Sequence, residues 1–202
     1  MIRQLDHVVL VVLNLDGAVA EHRGRGFTVT PGGEHAGGLT HNALIGFQDG
    51  SYLELIAFHD VESARGKHQW APVAERGGGW ADFALLSDDL ATDAAALGTL
   101  VTQAPMECGR TRPDGVHVGW RSARLAAPLP FLIEDITPRN LRAPGGDAAR
   151  HRNRTHGVER VIVGATDPTT AAKNYQALSA RGAPAIEVLK AQRDGLSLVL
   201  FR

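Results

Sequence analysis

Three short apolar runs recur along the chain, and each is followed by Asp or Asn and then by residues suited to a helix. The runs begin at His7, Asp82 and Arg160. Because Asp and Asn are preferred at helix N-caps, each run predicts a strand followed directly by a helix. The starts lie 75 and 78 residues apart. A spacing of this length is typical of a repeated supersecondary unit rather than of a solenoid repeat.

Further strands follow each predicted helix. The helices are predicted at 14–20, 92–97 and 169–179, and the later strands at 27–30, 40–47, 51–58, 105–108, 116–121, 130–136, 186–189 and 196–201. The tight turn Gln48-Asp49-Gly50 indicates a hairpin between two of them. The pattern predicts an α+β fold of repeated βαβββ modules: a first module at 1–76, a second at 80–140 and a partial, structural third at 156–202. Glycines 77–79 and the stretch 137–155 are predicted linkers.

Composition narrows the class of protein. Hydrophobic residues make up 44% and charged residues 21% of the 202 residues, with a net charge of −1. These values are typical of a globular protein and give no reason to expect a nucleic-acid partner. We interpret the arginines between 139 and 154 as a solvated linker.

The apolar stretch Val8–Leu13 is too short to cross a membrane. The chain has a single cysteine, Cys108, which suits a reducing compartment. A cytoplasmic location is therefore expected.

Four charged residues interrupt strands that should be apolar. His7 and Asp82 stand at the start of the first strand of their units, while Glu54 and Glu134 stand in the last strands. A charge on an apolar face is costly unless it is paired or bound to a metal. The corresponding positions in two repeats favour a metal or polar-ligand site. The alternative is that these residues form buried ion pairs or that some of them point outward.

Several short motifs carry a family resemblance. Leu5-Asp6-His7-Val8-Val9, Gly50-Ser51-Tyr52-Leu53-Glu54-Leu55-Ile56 and Leu129-Pro130-Phe131-Leu132-Ile133-Glu134, together with Gly32-Gly33-Glu34-His35 and Thr40-His41-Asn42, are similar to glyoxalase-like domains of the vicinal oxygen chelate superfamily. The resemblance covers roughly residues 1–140. It implies that two modules pair into an open, U-shaped, eight-stranded mixed sheet with flanking helices. It also implies a divalent metal (Mn, Mg, Ni or Zn) held by His7, Glu54, Asp82 and Glu134.

The predicted ligand set departs from the family pattern, because Asp82 stands where a second histidine is usual. One imidazole with up to three carboxylates would favour a hard ion such as Mg or Mn. Isomerase or lyase chemistry on a small carbonyl metabolite suits this set better than oxygen activation. Glu54 or Glu134 is then the expected general base. The side chains expected to contact the substrate are His41, Asn42, Tyr52, His117 and Trp120.

Two other readings stay open from the sequence. The first is a metal-free small-molecule-binding or drug-sequestering module of the same fold, with Tyr52, Trp80 and Trp120 lining an apolar cleft. The second is a structural or assembly domain whose third unit forms a homodimer contact. The expected partner is a small-molecule substrate, with no nucleic acid and no membrane.

Overall fold

The computed structural model describes residues 1–178 and 185–202. Its strands are β1 (Ile2–Val11), β2 (Thr30–His35), β3 (Thr40–Gly46), β4 (Tyr52–Phe58), β5 (Gly79–Ser87), β6 (Val101–Thr111), β7 (His117–Leu125), β8 (Phe131–Asp135), β9 (Val158–Ala165), β10 (Ala185–Lys190) and β11 (Gly195–Phe201). Its α-helices are α1 (Leu15–Gly24), α2 (Val61–Ala64), α3 (Ala71–Glu75), α4 (Leu90–Leu97), α5 (Arg139–Arg142) and α6 (Pro168–Ala177). Short 3-10 turns occupy Gly98–Leu100 and Gly146–Ala149.

The three strand–helix junctions form as predicted, each with a capping side chain. Asn14, Asp89 and Asp167 are the N-caps of α1, α4 and α6, and each accepts a backbone N–H from the first turn. These bonds satisfy donors that a helix start leaves free. The helices α4 and α6 begin earlier than predicted, at Leu90 and Pro168, and α1 ends later, at Gly24. The predicted end of the third helix, Ser179, lies outside the described residues.

The first eight strands form the predicted mixed sheet of two paired modules. Its order is β1-β4-β3-β2-β6-β7-β8-β5, and β5 pairs antiparallel with β1. The open side of the predicted U is closed by a short ladder in which Glu34 pairs with Thr111 and His35 with Arg110. Gly33 allows this seam, because a Cβ at this position (φ 128°) would lie 2.0 Å from the carbonyl oxygen of Thr111.

The last part of the chain forms a smaller sheet of order β10-β9-β11. Phe201 at its end packs against Phe27, Phe47 and Trp80 of the larger sheet. The elements of the three units follow the predicted ranges 1–76, 80–140 and 156–202, except that β5 begins at Gly79 and α5 ends at Arg142. The division into domains at these boundaries stays a prediction. No helix in the described part of the chain is long and apolar enough to span a membrane.

The predicted linker after β8 is not simply a solvated segment. It contains α5, and the side chain of Arg142 is only 1% exposed. Arg142 donates two parallel hydrogen bonds to the buried carboxylate of Asp6, at 2.7 and 2.8 Å, and a third to Tyr52 Oη at 2.8 Å. Its Nε donates to Asp135 at 2.5 Å. A charged-residue count along the sequence does not reveal such burial, because it depends on a carboxylate 136 residues away.

Replacing Arg142 with Ala should destabilise the protein strongly. The change removes the bidentate partner of the fully buried Asp6 carboxylate, which keeps Arg139 and His7 as neighbours. Breaking a buried pair typically costs about 3–5 kcal/mol, and these remaining partners place the expected loss at the lower end, about 3 kcal/mol. Urea denaturation would measure the free energy of unfolding. The matched control is Arg150→Ala, which removes a side chain that is 77% exposed and should change stability by less than about 0.5 kcal/mol. Equal stability of the two variants would contradict the structural role of Arg142.

Candidate active site in the sheet cavity

The eight-stranded sheet encloses a cavity of about 480 Å³ that opens to solvent. Its wall combines ionisable side chains with aromatic and aliphatic ones. The lining residues are His7, His35, Ala36, Gly37, Leu39, Thr40, Tyr52, Glu54, Ile56, His68, Gln69, Trp70, Met106, Glu107, Cys108, Gly109, Arg110, Trp120, Ser122, Arg124, Phe131, Ile133 and Arg142. A concave, partly apolar site with a few converging polar groups is the usual form of a small-molecule site.

His7 reaches the cavity from β1 in a fixed orientation. Its ring stacks on Tyr52 with centroids 4.5 Å apart, and it meets the edge of Phe131. Nδ1 lies 2.5 Å from Oδ1 of Asp6, which leaves Nε2 directed towards the cavity. Burial alone would raise the pKa of Asp6, but Arg142 and His7 outweigh it and hold that pKa well below its usual value. Asp6 is therefore an ionised acceptor that orients the imidazole.

Glu54 is buried on β4 between two imidazoles. Its Oε2 lies 3.6 Å from His7 Nε2, and its Oε1 lies 3.4 Å from His35 Nε2. Asn42 donates a hydrogen bond of 2.6 Å to Oε1. Burial would raise the pKa of Glu54, but the two histidines and the Asn42 bond together lower it below the usual value. The carboxylate is therefore ionised at neutral pH and accessible from the cavity.

The pairing of β1 with β5 tests the correspondence between the two modules. His7 pairs with Ala84 and Val9 pairs with Asp82, so His7 and Asp82 occupy equivalent places about a local two-fold axis. On the outer sides of this pair, Glu54 lies opposite Val9 and Phe131 lies opposite Ala84. The counterpart of Glu54 in the second module is therefore Phe131 and not Glu134.

Glu134 does not join the predicted ligand set. Phe131 and Ile133 line the cavity, and strand alternation turns Glu134 to the other face of β8. There its Oε2 lies 2.9 Å from Arg121 Nη2. The sequence places Glu134 correctly on the face of Leu132, but that face packs towards the helices. Neither a ligand nor a general-base role follows from this position.

Asp82 lies near the cavity but has other partners. Its carboxylate accepts the backbone N–H of Phe83 at 2.8 Å and the indole N–H of Trp70 at 3.4 Å. Burial raises its pKa from 3.8 to about 6, because it disfavours the charged form. Of the four predicted ligands, the structure therefore brings together His7 and Glu54, with Asp82 near but separately bonded, and Glu134 outside.

The five predicted substrate-contacting residues divide by strand face. Tyr52 and Trp120 line the cavity. Asn42 points inward and reaches the cavity through Glu54, whereas its neighbour His41 lies on the outer face, close to Glu34 and His59. His117 is exposed and lies on the face of β7 opposite to Trp120. The alternation of each strand thus places His41 and His117 away from this cavity.

Several ionisable residues at the cavity were not identified from the sequence, among them His35, His68, Arg110 and Arg124. The predicted strand ends at residue 30 and does not include His35, although β2 continues to it. Alternation along Gly32-Gly33-Glu34-His35 could have placed His35 inside, opposite to Glu34. His68 and Trp70 come from the segment around α2 and α3, whose packing no strand pattern indicates.

Two arginines at the cavity, Arg110 and Arg124, are not held in ion pairs by any described residue. Arg110 is 3% exposed and donates only to the carbonyl oxygens of Gly32 and Arg142, at 3.1 and 2.9 Å. Arg124 is half-buried on β7. Within residues 1–178 and 185–202, neither guanidinium has a carboxylate within 4 Å. Burial lowers the pKa of both arginines, which reflects the cost of desolvating these charges.

A family model described as "Glyoxalase-like domain" matches residues 5–179, which is most of the chain. The chain belongs to the glyoxalase-like domain family. The vicinal oxygen chelate relationship expected from the motifs at His7 and Glu54 is thereby confirmed.

Solved structures agree with this glyoxalase-like fold. A hypothetical protein from Staphylococcus aureus superposes with a TM-score of 0.77 at 14% identity, covering 98% of this chain and 90% of that one. A variant of Streptomyces coelicolor methylmalonyl-CoA epimerase in complex with 2-nitronate-propionyl-CoA gives 0.50 at 22% identity, covering 68% and 100%. A methylmalonyl-CoA epimerase in complex with methylmalonyl-CoA and NH4+ gives 0.50 at 22%, covering 71% and 100%. The search of curated proteins found no match.

Divalent ions are common in the superfamily, and the cavity of this glyoxalase-like chain offers donors of a suitable kind. They are Nε2 of His7, Nε2 of His35 and the Glu54 carboxylate, all from the first module. This set of two imidazoles and one carboxylate would prefer a transition-metal ion. The oxygen-rich set expected from the sequence would have preferred a hard ion instead. The Asp6–His7 contact is the kind of support that metal-bound histidines have. The kinds of donor therefore fit an ion. Among the described residues, however, the ligand atoms of these three groups do not all lie within 4.8 Å of one another, and Phe131 and Asp82 leave the second module without the matching ligands.

Asp82 should make the stability of the protein depend on pH in a defined direction. Because its pKa in the folded state, about 6, lies above the ordinary value of 3.8, the unfolded chain loses this proton first. The contribution of Asp82 to stability is therefore greatest below pH 4 and falls as pH rises through about 6. Asp82→Asn should lack this fall.

The measurement is urea unfolding of both proteins at pH 4, 5, 6 and 7. The difference in free energy of unfolding between Asp82→Asn and the wild type should grow in favour of the variant across this range. A constant difference would contradict the raised pKa of Asp82. Comparing the two proteins at each pH removes the contribution of every other titrating group.

Proposed function

We propose that this protein is a glyoxalase-like enzyme that moves a proton at the carbon beside a carbonyl group of a small metabolite, as an isomerase or a lyase. The observation that carries the proposal is the ionised Glu54 carboxylate, buried in a cavity between the imidazoles of His7 and His35. A buried base with positioned proton donors is the arrangement that such chemistry needs.

Glu54 is the proposed base of the reaction. Its carboxylate takes the proton from the carbon next to the carbonyl, and the electron pair moves towards the carbonyl oxygen. The Nε2–H of His35 then donates a hydrogen bond to that oxygen, so that the negative charge is stabilised as it develops. In an isomerase the proton returns at another position or face. In a lyase a neighbouring group leaves instead.

In our proposal Asp6 and Asn42 hold His7 and Glu54 in position and do not contact the substrate. Asp6 holds His7 at 2.5 Å in one orientation, and Asn42 holds Glu54 at 2.6 Å. Such positioning reduces the reorganisation needed during proton transfer.

A divalent ion held by His7, His35 and Glu54 would act as a Lewis acid that stabilises an oxyanion. Mn, Ni and Zn are the ions to test first, with Mg as the hard-ion comparison.

The Arg124 side chain favours a substrate that carries an anionic group in addition to its carbonyl. Arg124 lies on the cavity wall with Ser122 and Trp120 on the same face of β7. Its half-buried guanidinium is without a carboxylate partner in the described chain, so a carboxylate or phosphate of the ligand would offset the cost of its desolvation. We infer that Arg124 anchors the substrate and that the apolar wall formed by Trp70, Trp120 and Phe131 contacts its carbon atoms.

Glu54→Gln should abolish proton exchange. The test is to incubate the protein in D2O with dicarbonyl compounds and 2-oxo acids, with and without Mn, Ni, Zn or Mg, and follow loss of the α-proton signal by NMR. Removing a general base typically costs about 10²–10⁴-fold in rate. The matched control is Glu134→Gln, which changes a carboxylate on the outer face of β8 and should stay within about twofold of wild type.

Two results would reject this role of Glu54. One is full exchange activity in Glu54→Gln, and the other is an equal loss in Glu134→Gln. Tight ligand binding with no exchange or turnover for any compound of the panel would instead favour the metal-free binding module. The aromatic wall of the cavity would serve that function equally well.

Arg124→Gln should weaken binding of anionic substrates while leaving the chemical step largely intact. Loss of a charge-assisted hydrogen bond of about 1.5–3 kcal/mol corresponds to a rise in KM of roughly 10–100-fold, with kcat within a few-fold. Arg121→Gln is the control, because Arg121 lies on the outer face of the same strand and pairs with Glu134. An unchanged KM in Arg124→Gln, measured on a carboxylate and on a phosphate compound, would exclude the anchor.

A further inference from the structure

A second group of metal-ligating side chains lies outside the cavity. Glu34 on β2, His41 on β3 and His59 just after β4 each offer one ligand atom, and these atoms all lie within 4.8 Å of one another. Among the described residues no other trio of His, Cys, Asp or Glu meets this criterion. The side chains are 57%, 32% and 43% exposed, so an ion from solvent can reach them.

The backbone holds the three positions together. Glu34 and His41 are direct partners in the β2–β3 ladder. His41 pairs with Ala57 on β4, and the N–H of His59 donates to the carbonyl oxygen of Leu39 at 3.1 Å. The ligand atoms are therefore presented by paired strands rather than by free loops, which reduces the ordering cost of binding an ion.

An ion pair alone does not account for the arrangement. His59 Nε2 lies 2.7 Å from Glu34 Oε2, but His41 Nδ1 lies 3.8 Å from Oε1, which is beyond hydrogen-bond distance. The two rings have their centroids only 4.3 Å apart. A hydrogen bond to Glu34 therefore explains the position of His59, whereas the close approach of the His41 ring is not explained by such a bond.

We propose that Glu34, His41 and His59 bind a divalent transition ion of the Zn or Ni class. Two imidazole nitrogens and one carboxylate oxygen are ligands that such ions prefer, and water would complete the coordination. The ion would link β2, β3 and the end of β4 next to the two-residue seam between β2 and β6. Since His35 follows Glu34 on β2 and faces the cavity, the ion would also fix the strand that carries a proposed active-site histidine.

The test is titration calorimetry with Zn2+ alone, on the full chain. Wild type should bind one equivalent more than the double variant His41→Ala/His59→Ala. His117→Ala/His156→Ala removes two other exposed histidines and should bind like wild type. A His7→Ala variant separates the two sites, because it should lose binding in the cavity only and keep the equivalent assigned to the outer trio.

Thermal unfolding provides a second readout that does not depend on activity. Zn2+ at 100 times its dissociation constant should stabilise a folded protein by about 2.7 kcal/mol through the site, and this increment should be missing in His41→Ala/His59→Ala. Circular dichroism would verify that the variants are folded. Equal stoichiometry and equal stabilisation in wild type and His41→Ala/His59→Ala would overturn the proposal. The proposed function is tested separately, by the Glu54→Gln variant.

Discussion

The buried ion pair between Asp6 and Arg142 is the constraint on which the site depends. Arg142 brings the segment after β8 back against β1 and β4, where it bonds to Asp6 and to Tyr52. Asp6 uses its remaining capacity to orient His7, and the main-chain oxygen of Arg142 accepts a bond from Arg110. One guanidinium thus joins both modules and, through Asp6, fixes an imidazole at the cavity. Removing it would disturb fold and site together.

Strand alternation divides the ionisable residues of this protein into two separate surfaces. His35 and Asn42 point inward to Glu54, whereas their chain neighbours Glu34 and His41 point outward. Arg124 lies inside and Arg121 outside on the same strand. A shift of one residue in register would exchange the two sets, so the registers of β2, β3 and β7 determine the chemistry. The proposed enzyme site and the proposed outer metal site follow from the same rule.

The candidate site could be predicted in part from the sequence, and the reason differs for each residue. His7 and Glu54 interrupt strongly apolar strands, so their burial is visible in the pattern. Glu134 interrupts a strand in the same way, but the pattern does not say which of the two apolar faces of β8 lines the cavity. Phe131, the true counterpart of Glu54, gives no signal because a phenylalanine suits any strand. Arg110, Arg124 and His68 reach the cavity from elements whose registers or positions were not predicted.

The sequence by itself determined the repeat and the three capped strand–helix junctions, because these depend on local periodicity and on preferences of single residues. The eight-stranded pairing of two modules was implied by the family resemblance of its motifs. Only the tertiary structure decided that β2 and β6 close the sheet, that Arg142 is buried and that two arginines face the cavity. These features depend on contacts between residues far apart in the chain. Their partners are chosen by packing and by the need to pair buried charges, which no local pattern records.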